Sequence, residues 1–444
     1  MANAKQFARQ QFNEYMKVLM FGWEFPPHIS GGLGTACFGI TKGLSTMEDI
    51  EISFVVPRMY GDEQQNGLKL LTAEGIALKQ QKKLLEKIRK TMDYIEVESK
   101  LVPYCDPDEY QKQTSIAGDV HHTGFKTDPS GRFRFSGQYG ADLFTEVSKY
   151  ALAADSLARD LEFDIIHAHD WLTYPAGIAA KRVSGKPLVL HVHATDFDRS
   201  GGKANPGVFR IEKAGLEAAD KIITVSNLTR DIVINRYGIR PEKTVTVYNA
   251  VQPLKERAAF TFKKGFDEKI VTFLGRITMQ KGPGYFVEAA DTVLQKMHNV
   301  RFAMAGSGDM MEKTVSRVAE LGIGDRFHFT GFLKGDEVFE LLHLSDAYVM
   351  PSVSEPFGIS PLEAMQSRVP VIISKQSGVS EILKHALKVD FWDVEALADA
   401  IHAVLSYPVL SRMLVKQGKS EADSLKWEDA ARHIHSVYKS LLAA

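Results

Sequence analysis

Short apolar runs alternate with longer stretches in which apolar residues recur every three or four positions, and the alternation continues along most of the chain. The runs at residues 17–22, 52–57, 164–168, 187–191 and 221–225 have strand length and predict buried parallel strands. The stretches 35–44, 139–161 and 228–237 carry the helical period and predict helices beside them. A last strand is predicted at 245–248. Asn249-Ala250-Val251-Gln252-Pro253 then has the polar, Pro-ended character of a linker. The pattern restarts with strands at 269–274, 300–305, 326–330, 346–351 and 369–374, again with helices between. Alternation of this kind predicts an α/β fold, and its restart predicts two doubly wound, Rossmann-like domains, 1–250 and 251–426. Ligands of open α/β sheets bind at the carboxyl ends of the strands, so the site is expected in a cleft where both sets of ends face each other.

Composition narrows the classes. A chain of 444 residues can hold two cores. With 54 Lys and Arg against 55 Asp and Glu there is no bulk cationic surface, which argues against nucleic acid as partner. Two cysteines, Cys37 and Cys105, form no disulfide framework and no paired metal motif, as expected of a cytoplasmic protein. No apolar run approaches the roughly 20 residues of a membrane span. The first 16 residues are polar and lack the apolar core of a signal peptide.

The chemistry concentrates in Ser354-Glu355-Pro356-Phe357-Gly358-Ile359-Ser360-Pro361-Leu362-Glu363-Ala364. One carboxylate stands on a strand-to-helix turn and another in the first helical turn. Backbone N–H groups at Gly358 and at the helix start lie between them. Such a place can hydrogen-bond sugar hydroxyls and accept an anion. The competing explanation for Glu363 is a capping box with Ser360, with Pro361 at the first helical position. Further along the chain, Gly275-Arg276 closes a strand and Lys281-Gly282 opens a helix, a cationic pair suited to a diphosphate. Gly31-Gly32 precedes a helix start. Ala305-Gly306-Ser307-Gly308 reads either as a phosphate loop or as a turn. His167 and His169 alternate on a strand with no cysteine or acidic cluster beside them, so no metal site is expected there. Asp106-Pro107-Asp108 and Asp196-Phe197-Asp198 both spell a carboxylate pair able to carry a divalent cation. The pattern is too short to weigh against a cationic pair that already supplies the charge.

Taken together, these motifs resemble the retaining, nucleotide-sugar-dependent glycosyltransferases of the GT-B fold, within glycosyltransferase family 4, with glycogen and starch synthases nearby. The two-glutamate motif matches Glu355 and Glu363. Gly31-Gly32-Leu33-Gly34, His167-Ala168-His169-Asp170-Trp171, Gly275-Arg276 with Lys281-Gly282, and Ala305-Gly306-Ser307-Gly308 follow in the family's order. The resemblance implies that Arg276 and Lys281 hold the diphosphate, that Glu355 and His193 reach the transferred sugar and that Glu363 takes the ribose hydroxyls. It assigns Gly31, Gly32, Phe357, Gly358 and Ile359 to the donor site and turns Asp170 toward the acceptor. It also implies a last helix, about 427–444, that packs back on the first domain. No metal and no cofactor are expected beyond the ADP-, UDP- or GDP-sugar itself. Where bacterial glycogen synthases carry a Lys two residues before the first Gly, this chain has Ile29.

Two acceptors remain open from the sequence. His-Ala-His-Asp-Trp and Ser136-Gly137-Gln138-Tyr139-Gly140 are similar to the group that extends glycogen by α-1,4 glucose units. A basic amphipathic stretch, Lys79, Lys82, Lys83, Lys87, Arg89 and Lys90 with Leu78, Leu84, Leu85 and Ile88, fits either a solvated helix or a peripheral contact with the inner face of a membrane. In the second case the enzyme would be a hexosyl- or mannosyltransferase acting on a lipid-linked or polysaccharide precursor.

Overall fold

The computed structural model describes residues 15–29, 31–63, 67–76, 134–137, 139, 143–254, 264–265 and 267–443. The basic stretch at 79–90 and the Asp106-Pro107-Asp108 motif lie outside the described residues. In the first half the strands are β1 (Met16–Phe21), β2 (Ile50–Val56), β3 (Lys69–Thr72), β4 (Ile165–His169), β5 (Leu188–Val192), β6 (Lys221–Thr224) and β7 (Thr244–Thr246). They pair in parallel in the order β3-β2-β1-β4-β5-β6-β7. In the second half β8 (Lys269–Leu274), β9 (Val300–Ala305), β10 (Phe327–Gly331), β11 (Ala347–Met350), β12 (Val371–Ser374) and β13 (Leu387–Val389) pair in parallel as β10-β9-β8-β11-β12-β13. Two Rossmann-like sheets are therefore present, as the alternation predicts. The chain reverses direction across each sheet between its first and fourth strands, β1/β4 and β8/β11. These are the switch points at which open α/β sheets bind ligands.

The helices that place the site are α1 (Gly32–Leu44), α2 (Leu143–Asp160), α3 (Tyr174–Ser184), the short α4 (Asp196–Arg199), α5 (Pro206–Ala218) and α6 (Asn227–Tyr237) in the first half. In the second they are α7 (Pro283–Leu294), α8 (Met311–Glu320), α9 (Asp336–Leu344), α10 (Ser360–Gln366), α11 (Val394–Ser406), α12 (Pro408–Ser424) and α13 (Trp427–Leu442). The strands read as near-continuous apolar runs because helices cover both faces. β4 and β5 are buried at every position.

Helix α13 returns to the first sheet. Trp427, Ala430, Ala431, Ile434, Val437 and Tyr438 join one core cluster with β1, β2 and α1. The approach is close. A Cβ at Gly39 would lie 2.2 Å from the Trp427 ring, and one at Gly43 would lie 2.6 Å from the Trp427 carbonyl oxygen. Glycine is thus required on α1 by packing rather than by turn geometry. The segment expected as a polar linker is in part buried. Ala250 belongs to the core cluster of the first sheet and Val251 to one in the second half, so the crossing point is fixed in both.

Candidate active site

The second switch point gathers the two-glutamate string. β11 ends at Met350, and the chain runs through Ser352 to Glu355, whose N–H donates to the Gln376 carbonyl at 3.0 Å. The Glu355 side chain is buried, and the Lys281 ammonium is paired with its Oε2. Lys281 reaches it from the turn after β8, where Gly275 has φ 154° and Gly282 has φ 68°. At Gly282 a Cβ would lie 2.2 Å from the Pro351 carbonyl oxygen, so the Lys281 loop presses against the end of β11. Arg276 stands in the same loop, its Nη2 donating to Gln280 Oε1 at 3.0 Å. The resulting wall sets two cations from one loop beside a carboxylate from the turn after β11.

Glu363 lies one helical turn on. The capping-box explanation fails here. Helix α10 starts at Ser360 behind Ile359, no side chain caps it, and the Ser360 hydroxyl bonds the Tyr348 hydroxyl at 2.8 Å. The Glu363 carboxyl has no hydrogen-bond partner among the described residues, and burial pushes its pKa up to about 7. Gly358 has φ 98° and packs under Met350 and Glu355, where a larger residue would be strained. Phe357 is buried with its ring 6.4 Å from that of Tyr248, and Ile359 packs against core residues of both halves.

The first switch point supplies the opposite wall. Gly31 and Gly32 stand at the start of α1, which carries no side-chain cap, and the space beside Gly32 is open. Ile29 folds against the first turn of this helix, its Cγ2 2.3 Å from where a Cβ on Gly34 would be. Ile29 itself brings no cation to this helix start, where backbone N–H groups stand to meet an anion. Glu24, a buried carboxylate at the end of β1, accepts from the Gly34 N–H at 3.0 Å and the Tyr139 hydroxyl at 3.2 Å.

His193 follows the carboxyl end of β5. Its Nε2 meets His169 Nδ1 at 3.0 Å, and its ring stacks on His191 at 4.3 Å. Burial, with Arg199 nearby, holds its pKa down to about 3, so the imidazole is neutral at physiological pH. Asp170 is placed otherwise than the resemblance implies. Its carboxylate turns inward, 1 % exposed, accepting the N–H groups of His193 (2.7 Å) and Ala194 (3.2 Å) on Oδ1 and Arg199 Nη2 (3.1 Å) on Oδ2. Its own backbone is left-handed, φ 60°, a conformation that costs a non-glycine residue roughly 1–2 kcal/mol. Asp170 therefore fixes the strand end that carries His193 and has no carboxylate oxygen left to face an acceptor.

The Asp-x-Asp pair at 196–198 is also internal. Asp196 accepts from Asn205 N at 2.5 Å. Asp198 Oδ2 closes a capping box with Thr195, and its Oδ1 accepts from the Ser354 hydroxyl at 2.6 Å. That last bond joins the His193 side of the cleft to the residue before Glu355. Glu381, from the second half, accepts from the N–H groups of Asn227 (2.9 Å) and Leu228 (2.7 Å) at the start of α6. Gly378 is required by the same approach, since a Cβ there would lie 2.1 Å from the Pro356 oxygen and 2.5 Å from Ser226 Cβ. Gly306 and Gly308 press on the backbone of Gly275 and Ile277, at 1.9 and 2.3 Å from built Cβ atoms, so packing alone demands both glycines. Arg199, Glu24 and the Ser354–Asp198 contact escape the sequence reading. Only Glu24, a lone charge at the end of an apolar run, leaves a visible signal.

Residues 131–253 match the family described as Glycosyltransferase Family 4, and residues 255–421 match Glycosyl transferases group 1. An uncharacterized glycosyltransferase of Methanocaldococcus jannaschii is 27 % identical over 446 residues, covering 96 % of this chain and 98 % of that one. A glycogen synthase of Mycobacterium tuberculosis is 22 % identical over 441 residues, 95 % and 94 % of the two chains. The solved sucrose-phosphate synthase from Thermosynechococcus elongatus shares the fold, with a TM-score of 0.67 at 19 % identity over 96 % of this chain and 99 % of that one. Among the described residues no helix is long and apolar enough to cross a membrane. The chain thus matches Glycosyltransferase Family 4 and then Glycosyl transferases group 1 along its length, and its two parallel, Rossmann-like sheets have the GT-B fold of its structural neighbours.

Proposed function

We propose that this glycosyltransferase moves glucose from a nucleotide-diphosphate sugar onto an α-1,4-glucan, with retention at the anomeric carbon and without a metal. The observation that carries the donor half of this reading is the wall at the second switch point, with Lys281 on Glu355, Arg276 beside it and the unbonded Glu363 carboxyl one turn further on. An ammonium has three donors, so Lys281 can keep Glu355 and still meet a diphosphate oxygen. Glu355 then accepts from hydroxyls of the transferred sugar, and Glu363 from the ribose.

In the reaction the bond between the anomeric carbon and the diphosphate oxygen breaks and a bond to the acceptor hydroxyl forms on the same face. The hydroxyl proton passes to the departing phosphate. Fixed cations at the leaving group stabilise the charge that develops there. At about 1.5–3 kcal/mol for each charged hydrogen bond, Arg276 and Lys281 together supply about 3–6 kcal/mol, or about 10²–10⁴ in rate. His193, neutral and fixed by Asp170, offers a hydrogen bond to the sugar without adding positive charge beside a developing oxocarbenium ion. The reading takes front-face attack, as the resemblance implies, and assigns none of the described side chains as a double-displacement nucleophile.

The glucan acceptor is supported by the His-Ala-His-Asp-Trp string and by the full-length likeness to a glycogen synthase. The test is a screen of ADP-, UDP- and GDP-glucose against glycogen and small phosphosugars, following nucleoside diphosphate release. The reading expects release that depends on glycogen. Release that depends on a phosphosugar and not on glycogen would replace the acceptor.

A further inference from the structure

The first sheet holds a group of buried side chains of which the proposed transfer reaction uses His193 alone. His167 and His169 on β4, with His191 and His193 at the end of β5, bring four imidazoles together under α1 and α13, at ring separations of 4.2 to 5.5 Å. His167, His169 and His191 are fully or almost fully buried. His167 Nδ1 meets the Tyr438 hydroxyl at 2.6 Å, and His169 Nδ1 meets His193 Nε2. Five ring nitrogens have no partner: Nε2 of His167, Nε2 of His169, both of His191, and Nδ1 of His193. Buried polar atoms are almost always satisfied, so a group of five orphans in one place points to a ligand. Cys37, buried on α1, completes the picture. Its sulphur and one nitrogen from each of His169 and His193 lie within 4.8 Å of one another. The local sequence around His167 and His169 argues against a metal because no cysteine is near in the chain. The fold brings one from a distant helix.

We propose that Cys37, His169 and His193 form a binding site for zinc or a zinc-like divalent cation. Thiolate and imidazole are the ligands such ions prefer, and three protein ligands leave a fourth position for water. Each ring has its other nitrogen free to carry the proton while the first ligates. The one proton that must leave is that of the Cys37 thiol. The alternative trio, His167, His169 and His191, meets the same distance limit but offers no thiolate. The transfer reaction does not need this cation. On the reading that His193 hydrogen-bonds the transferred sugar, an ion at this site occupies His193 and stops turnover, so zinc is an inhibitor.

The test uses the full chain carrying Cys105→Ser, which leaves Cys37 as the single thiol, with Co²⁺ as the probe. One equivalent should bind and produce a thiolate-to-cobalt charge-transfer band, displaced by Zn²⁺. The band should vanish in Cys37→Ala and Cys37→Ser. Both variants should keep transfer activity, and their inhibition by Zn²⁺ should weaken by at least about 10-fold, the lower bound for losing even a supporting partner of a metal. Absence of the band, or a band unchanged in both Cys37 variants, would overturn the site. Cobalt bound through Cys37 without inhibition would leave the site standing and remove His193 from the reaction, so the two readings fail separately.

Discussion

Glu363 is the residue at which structure and chemistry separate most clearly. Among the described residues its carboxyl caps nothing and has no hydrogen-bond partner, and desolvation pushes its pKa up to about 7. On the proposed reading its contact is to the ribose, so Glu363→Ala should weaken the free nucleoside diphosphate by about 1.5–3 kcal/mol, roughly 10- to 150-fold in Kd. Glu355→Ala should abolish turnover and leave that affinity nearly intact. Calorimetry with the diphosphate decides, and equal losses in the two variants would contradict the division of roles. A second consequence concerns stability. The folded pKa lies above the ordinary 4.5, so the unfolded chain gives up this proton first as pH rises. Stability is therefore lost between pH 4.5 and 7, by at most about 3 kcal/mol. Denaturant unfolding at pH 5 and pH 8 should show a smaller difference for Glu363→Gln than for the wild type. Parallel pH curves would show that the carboxyl is not held in this way.

At the scale of elements, strands were legible and close contacts were not. β1, β2, β4, β5 and β8 to β12 announce themselves as mainly apolar runs of strand length between helical stretches. β3 and β13, four and three residues long, carry too little pattern to stand out. The same limit applies to the site. The turns holding Arg276, Lys281, Glu355 and Glu363 were readable as local strings. The inward turn of Asp170, its pairing with Arg199 and the approach of Cys37 depend on contacts between distant segments, which no local pattern records. Gly39 and Gly43 look like costly residues in a helix until α13 is laid across them. That crossing makes its own prediction. Trp427→Ala removes a ring that is 3 % exposed and should cost about 3–5 kcal/mol in denaturant unfolding. A loss below about 1 kcal/mol would mean that α13 is not part of the first core.

Across the whole molecule, among the described residues, the hydrogen bond from Ser354 to Asp198 joins the wall that carries Glu355 to the segment that follows His193. Removing that hydroxyl leaves each wall intact. Ser354→Ala should lower kcat about 5- to 10-fold, the worth of one such bond, while nucleoside diphosphate affinity stays within about twofold. Equal loss of affinity would place Ser354 in the donor wall alone. The central claim is that these walls transfer glucose with retention, the charge of the leaving group being met by Arg276 and Lys281 rather than by a metal. The most direct measurement is proton NMR of the product formed from ADP- or UDP-glucose and glycogen in excess EDTA. The account predicts α-linked glucose at an undiminished rate. A β-linked product, or transfer abolished by EDTA and restored by Mn²⁺, would contradict it.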